Sequence, residues 1–483
     1  MKTNYYASNP RGSSAPNLSI EELIDAQPLS VRQLAIVALC FAVAALDGLD
    51  LAIVGFVAPA IRAEWQLHPN DLALLFSAGL LGLTVGAFVA GPIADTLGRK
   101  KVLLAAVALF GCMCLACAFA RGFPELYALR ILTGVGLGAA APNAITLTSE
   151  YCPARRRSFL VTAMFCGFTF GSAAGGGLVV PLIFPHGGWR AVLLFVGVLP
   201  LLLLPVLSRI IPESLNYLIL RRAHPGSIAT TLRRVFPNFD ARAHTLVARR
   251  RGAAPRSPVS QLFAGKLKAY TFLLWITYFL NLFVVYLISN WLPTIIADSG
   301  MPLSIATVVV GAFQTGGTLG ALTLGYFMDR RRPETVLAGA YFLGASFIAL
   351  LGFVIGSKIG LAICIFLAGA CVSGSMTGVN ALATGLYPTE SRATGVSWSM
   401  GIGRLGAVLG SIAGAWLFGR GLGLQAAFAL TALPALAISA TIAILGRIHS
   451  VTDSPQLQPS KIQQLANPIP AAPRMGQETY SVH

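Results

Sequence analysis

Roughly a dozen runs of about 20 or more apolar residues fill this sequence, and they constrain its fold more than any other feature. A helix of about 20 residues crosses the ~30 Å of hydrocarbon in a bilayer, so each run is long enough to span a membrane. We predict spanning helices near residues 33–60, 72–94, 101–120, 126–149, 159–181, 189–208, 270–296, 303–328, 334–356, 359–386, 393–419 and 422–446. The predicted fold class is therefore an all-α integral membrane protein with 12 transmembrane helices.

The composition excludes several other classes of protein. Charged residues make up 11% of the chain, against ~25% in soluble domains. A soluble enzyme and a nucleic-acid-binding protein are therefore excluded despite the net charge of +17, and the short alternating strands of a membrane barrel do not recur. The 8 cysteines lack metal-ligand spacing and the 6 histidines fall outside the predicted spans, so we expect no metal, no cofactor and no enzyme activity.

The basic residues indicate how the chain lies across the membrane. Of the 35 lysines and arginines, 28 fall in segments on one predicted side, 5 fall on the other side and 2 lie within helices. Such an excess marks the cytoplasmic side, and it favours contact with anionic lipid headgroups. Residues 1–30 lack the apolar core of a signal peptide, so we predict that both termini are cytoplasmic.

One long basic interruption divides the helices into two sets of six. We predict a cytoplasmic tail at 1–32, a six-helix half at 33–208, a cytoplasmic central loop at 209–268, a second six-helix half at 269–446 and a cytoplasmic tail at 447–483. Residues 85–95 recur as residues 319–329, so the halves repeat with an offset of about 234. Repeats of this kind are typical of secondary transporters, whose sites lie near the midplane between the halves.

The loop between the second and third predicted helices carries the most specific motif. Its sequence, Gly91-Pro-Ile-Ala-Asp95-Thr-Leu-Gly98-Arg99-Lys-Lys, resembles the signature loop of the major facilitator superfamily at every fixed position. We expect Gly91 to let a neighbouring helix approach closely and Gly98 to permit a tight turn. Asp95 is expected to meet the positive N-terminus of a helix from the other half, as a contact that breaks when the cytoplasmic side opens. The second copy keeps Asp329 but loses the second glycine.

Four ionisable residues fall well inside predicted spans, where charges are costly and usually functional. Asp47 and Asp50 are three residues apart, so they share one helix face. Two carboxylates this close are not both ionised cheaply, which suits proton carriage. Helix rise places Arg130 level with Asp50, and it places Arg404 near the midplane. The alternative is that these residues form internal ion pairs that hold helices together.

Further motifs resemble one branch of this superfamily, the aromatic acid:proton symporters. The resemblance rests on Asp47-Gly-Leu-Asp50, on Arg130-Ile-Leu-Thr-Gly-Val-Gly-Leu-Gly and on residues 388–404, and it covers residues 33–446. It implies import of benzoate, hydroxybenzoates or protocatechuate with protons across the bacterial inner membrane, for catabolism. It also implies proton-coupling roles for Asp47 and Asp50. The residues expected to act as a conformational gate are Gly91, Asp95, Gly98, Arg99, Glu150, Asp329 and Arg392.

An aromatic carboxylate requires a cation, a few polar partners and apolar walls. The residues predicted to bind it are Arg404, Arg130, Asn281, Tyr286, Asn290, Gln314, Asn380 and Trp398. We expect a monomer whose partners are the aromatic acid anion, protons and the bilayer. The alternatives left open are a carrier of another organic anion such as nicotinate or a phenylpropionate, a sugar carrier, and a non-transporting membrane receptor.

Overall fold

The computed structural model describes residues 17–220, 225–236, 245–247, 262–263, 265, 267–300, 303–354, 357–387, 392–419 and 423–453. The helices of the first half are α1 (Ile20–Ala26), α2 (Val31–Trp65), α3 (Pro69–Leu97), α4 (Arg99–Cys117), α5 (Phe123–Tyr151), α6 (Ala154–Ala174) and α7 (Val180–Ile210). The segment that follows contains α8 (Leu215–Leu220) and α9 (Pro225–Val235). The second half contains α10 (Leu267–Asp298), α11 (Leu303–Met328), α12 (Pro333–Val354), α13 (Lys358–Val372), α14 (Ser375–Leu386), α15 (Arg392–Gly419) and α16 (Leu424–Asp453).

Local sequence signals set the helix limits. A capping box starts α2, because the Ser30 side chain accepts from the backbone of Gln33 while the Gln33 side chain accepts from the backbone of Ser30. Proline occupies the first turn of α3 and of α5, where its missing N–H leaves no helical hydrogen bond unmade. Besides the helices, three-residue strands β1 (Asn17–Ser19) and β2 (Thr245–Val247) pair in parallel.

Eleven helical stretches of the described residues are long and apolar enough to cross a membrane. One of them runs through 57 residues, Ala154–Ile210, which is roughly 85 Å of helix and enough for two crossings of ~30 Å. A π-helical segment, Gly175–Val179, joins α6 to α7. The backbone leaves helical geometry only at Gly187 and Gly188, where Gly188 has φ 63°. The two predicted helices 159–181 and 189–208 therefore form one interrupted run, and the stretches together account for twelve crossings.

The predicted helix 359–386 is present as one crossing, Lys358–Leu386. The division between α13 and α14 falls at Ser373 and Gly374, whose backbone dihedral angles remain helical. A Cβ atom on Gly374 would lie 2.8 Å from the backbone of Ala321 in α11. The glycine therefore lets these backbones approach closely.

Glycine contacts repeat in register in the two halves. In the first half, a Cβ on Gly82 of α3 would collide with the backbone of Ile131, and one on Gly134 of α5 would collide with the backbone of Gly79. In the second half, a Cβ on Gly316 of α11 or on Gly369 of α13 would collide with the backbone of the facing helix in the same way. The α3–α5 and α11–α13 pairs are thus packed alike, as expected of two copies of one helical unit.

Three helix pairs make the most extensive contacts between the two halves, namely α2 with α10, α3 with α15 and α6 with α11, and α11 also contacts α2, α7 and the π-helical segment. We call the end of the bundle at which α2 ends the distal end, and the end next to α8 and α9 the proximal end. At the distal end Arg62 forms an ion pair of 2.9 Å with Asp298. Nearby, a Cβ on Gly55 would lie 2.8 Å from the carbonyl oxygen of Ser289. These contacts join the halves at the distal end.

Candidate functional site

A buried ion pair lies at the centre of the first half. Arg130 donates from its two terminal nitrogens to both carboxylate oxygens of Asp50, at 2.9 and 2.8 Å. Asp50 is 0% exposed and Arg130 is 2% exposed. The Cys114 thiol also lies 3.5 Å from Asp50 Oδ1. This planar geometry with two parallel hydrogen bonds is the strongest that a guanidinium and a carboxylate form. The direct contact also confirms the prediction that Asp50 and Arg130 lie at one level.

Asp47, one helical turn from Asp50, has different surroundings. Its side chain is buried, and its Oδ1 atom has no hydrogen-bond partner among the described residues. Two groups of the second half, Tyr286 on α10 and Arg404 on α15, interact with it electrostatically. Gly48 allows α2 to pack closely against α6, because a Cβ atom at this position would collide with the carbonyl oxygen of Phe168. The two carboxylates therefore differ. Both oxygens of Asp50 are hydrogen-bonded to Arg130, whereas the charge of Asp47 is offset only through electrostatic interaction with Arg404.

Arg130 also lines a small cavity between the halves. The first half contributes Leu51, Val54, Leu75, Phe76, Gly79, Leu80 and Arg130, and the second half contributes Tyr286 and Asn290. Phe76 packs edge-on against Trp291 of the second half, with 5.4 Å between the ring centroids. The cavity thus combines a cation, two polar groups and an aromatic wall. Three of its residues, Arg130, Tyr286 and Asn290, were predicted from the sequence.

Phe76 and Gly79 were missed by sequence reasoning. They lie in α3, whose central part carries no ionisable residue that would have drawn attention to it. A Cβ on Gly79 would lie 3.8 Å from a terminal nitrogen of Arg130. The available signal was the run of glycines on α3, which indicates a close approach by another helix.

Five other residues predicted to bind substrate, Arg404 among them, do not line this cavity between the halves. Asn281 donates to the Tyr341 hydroxyl at 2.7 Å, and Asn380 accepts from the Tyr278 hydroxyl at 2.6 Å. Gln314 is buried within α11. Trp398 is 45% exposed and stacks on Trp275. The structure therefore shows Asn281 and Asn380 in contacts within the second half, and Trp398 on its outer face.

Three of the residues predicted to form a gate, Gly98, Arg99 and Glu150, lie at the proximal end. Gly98 has φ 100° and joins α3 directly to α4, so the predicted tight turn is present. Arg99 forms an ion pair with Glu150 at the end of α5, and Glu150 accepts from the Ser214 hydroxyl at 2.5 Å. Glu213 accepts from the backbone nitrogen of Lys100 at 3.0 Å. This network ties the α3–α4 turn to the segment after α7.

Gly91 differs from its expected role. A Cβ atom there would meet no heavy atom of the described residues within 4 Å, so no helix approaches Gly91 closely. Asp329 is exposed at the end of α11. The side chains of Asp95 and Arg392 lie outside the described residues, and the contact expected of Asp95 stays a prediction.

The comparisons with known proteins agree with this architecture. The family model described as Major Facilitator Superfamily matches residues 40–356 and 274–473. The chain belongs to the major facilitator superfamily. A gallate transporter of Pseudomonas putida is 46% identical over 433 residues, which cover 90% of this chain and 96% of that protein. The 4-hydroxybenzoate transporter PcaK of Pseudomonas aeruginosa is 43% identical over 441 residues, which cover 91% and 98%.

Among solved structures, the xylose transporter XylE of E. coli in a partially occluded inward-open conformation matches with a TM-score of 0.66 at 16% identity. The match covers 86% of this chain and 98% of that chain. This likeness supports the major facilitator fold. The chain is therefore a multi-pass membrane transporter of the superfamily and not an enzyme.

Proposed function

We propose that this protein imports an aromatic carboxylic acid together with one or more protons across the bacterial inner membrane, by alternating access of its two halves. The class proposed is that of benzoate, the hydroxybenzoates and protocatechuate. The names of the relatives, a gallate and a 4-hydroxybenzoate transporter, support this class. We place both termini in the cytoplasm, so that the distal end faces outward.

The observation that carries the proposal is that Arg130, which is paired with the buried Asp50, lines a cavity shared by both halves. An organic anion needs a cation, and the cation here is held by an internal carboxylate. Phe76 provides an aromatic wall, and Asn290, whose amide donates to Ser411 at 2.9 Å, is held in place.

Proton coupling follows from the same pair. A proton on Asp50 neutralises the partner of Arg130, so the guanidinium becomes available to the substrate carboxylate. Arg404, on the opposite half, adds positive potential near Asp47. When the halves rock, the distal contacts between them part and their proximal ends come together, or the reverse. An inside-negative potential opposes the entry of an anion with a free energy of ~2.3 kcal/mol per charge for each 100 mV. Moving the anion together with a proton avoids this cost.

The test is uptake of radiolabelled 4-hydroxybenzoate by cells that express the protein. We expect uptake to rise as the external pH falls, to be competed by benzoate and protocatechuate, and to be abolished by a protonophore. Uptake that is indifferent to the protonophore would contradict proton coupling. Absence of uptake, with the protein verified in the membrane, would contradict the proposed substrate class.

A further inference from the structure

Helix α4 places two buried thiols beside the Asp50–Arg130 pair. The Cys114 Sγ atom lies 3.5 Å from Asp50 Oδ1, and Cys114 is 0% exposed. Cys117, three residues further along α4, is also buried, contacts the Thr133 hydroxyl at 4.0 Å and interacts electrostatically with Arg130. The Asp50 carboxylate therefore has a second donor besides the guanidinium, and this donor lies on a helix whose charged residues are confined to its first turn.

The Cys114 thiol also has a second acceptor within reach. Its Sγ atom lies 3.7 Å from the backbone carbonyl oxygen of Leu193 in α7. A carbonyl oxygen has two lone pairs, so it can accept from the thiol while it keeps its bond within the helix. Gly197 lets α7 approach α4 closely here, because a Cβ atom on it would lie 2.5 Å from the backbone nitrogen of Leu115. A thiol has a single proton, so Cys114 donates either to Asp50 or to Leu193.

Protonation of Asp50 changes which acceptor suits the thiol. The ionised carboxylate only accepts, and donation by Cys114 stabilises this charged form. The carboxylic acid carries a proton that it must itself donate to a partner. The thiol proton then turns to Leu193, which leaves the Cys114 sulfur, a weak acceptor, available to the Asp50 hydroxyl. Asp50 gains one proton in this step, and the thiol keeps its own throughout.

We propose that Cys114 is a positioning residue for proton coupling, because its thiol donates to Asp50 while the carboxylate is charged and to Leu193 once Asp50 is protonated. This inference rests on the proposed function, since it concerns the step in which Asp50 takes up the proton. Removing the donor makes the charged carboxylate less stable, so protonation of Asp50 persists to higher pH. Among the described residues, the other titratable groups around this site are Asp47 on α2, Arg130 on α5 and Cys117 on α4, with Tyr286 on α10 and Arg404 on α15 interacting with Asp47.

The first experiment measures uptake of 4-hydroxybenzoate against external pH. We expect Cys114→Ala to raise the pH of half-maximal uptake by about 0.5–1 unit, as loss of one hydrogen bond to the charged form requires. Cys114→Ser, which keeps a donor, should restore most of the unaltered profile. Cys364→Ala, which removes a buried thiol from α13 of the second half, is the control and should leave the profile unchanged. A Cys114→Ala profile that coincides with the unaltered one would overturn the inference alone, whereas uptake by the unaltered protein that ignores pH would overturn the proposed function as well.

The second experiment observes the thiol directly in the unaltered, purified protein. The S–H stretching band of Cys114 is identified in the infrared spectrum by its loss in Cys114→Ser. We expect this band to lie at a lower frequency when Asp50 is ionised than at acid pH, because a charged acceptor forms the stronger hydrogen bond and thereby weakens the S–H bond. In Asp50→Asn the band should no longer move with pH. A band that stays in place across the pH range in the unaltered protein would overturn the inference, whatever the stability of the variants.

Discussion

Asp50 and Arg130 show how far sequence reasoning reached at the scale of single residues. Charges inside apolar runs are rare and conspicuous, and helix rise alone set these two at one depth. Their bidentate contact and the loose environment of Asp47 depend on side-chain rotamers and on neighbouring helices. Phe76 was missed, and Trp398 was predicted to bind substrate, for a related reason. Aromatic residues are common on every face of membrane helices, so their presence does not reveal which of them line a cavity.

Breaking the buried pair should destabilise the protein. Asp50→Asn leaves the Arg130 guanidinium buried without a charged partner, and removal of one member of a buried ion pair costs about 3–5 kcal/mol. We expect a lower unfolding temperature for Asp50→Asn in detergent, together with loss of proton-driven uptake.

The double variant Asp50→Asn/Arg130→Gln is the informative control. It replaces both charges with amides, so we expect it to recover much of the stability while remaining inactive in uptake. If Asp50→Asn were as stable as the unaltered protein, the pair would contribute little to the free energy of unfolding.

At the scale of helices, the apolar runs predicted the number and position of the crossings to within a few residues. Hydropathy reports only whether a segment can cross the membrane, so it did not reveal the continuous run through α6 and α7 or the close approach of α11 at the junction of α13 and α14. Both features depend on glycines, whose role is set by the backbone that they contact. Gly91 illustrates this point, since its motif predicted a close approach that its surroundings do not contain.

Two glycines of α3 provide a matched test of helix packing. Gly82→Val would drive its side chain into the backbone of α5 at Ile131, whereas Gly91→Val enters open space. We expect Gly82→Val to lower the unfolding temperature strongly, because overpacking costs about 1–3 kcal/mol or more. Gly91→Val should change that temperature little. Thermal unfolding of both purified variants checks this prediction, and equal losses would contradict the described contact.

At the scale of the whole molecule, the offset of about 234 residues predicted a repeat, and the helix contacts agree with it. The cavity between the halves could not be predicted from the sequence. It is formed by side chains from three or more helices, and the local sequence of a helix does not determine its rotation relative to the others. The arrangement of the halves, joined at the distal end by Arg62 and Asp298, was likewise inaccessible. Arg62 was recognised only as a charge on the outer side.

The distal contact predicts a way to arrest the carrier. In the double variant Arg62→Cys/Asp298→Cys, we expect a short bifunctional methanethiosulfonate, which joins the two thiols through disulfides with loss of sulfinate, to lock the distal end and stop uptake, with recovery after reduction by a thiol. The ion pair itself is partly exposed and contributes little stability, about 0–1 kcal/mol. The single-cysteine variants should therefore transport normally after the same treatment. Cross-linked protein that still transports would contradict separation of the halves at this end.

The closed Asp50–Arg130 pair bears on leakage in a growing cell. In the proposed cycle the Arg130 guanidinium binds an organic anion only after a proton has replaced the guanidinium as the partner of Asp50. In that cycle an aromatic acid that has accumulated inside therefore lacks a route to leave without a proton. Its exit would have to carry a proton out against the proton gradient, which favours retention of the acid in the cytoplasm.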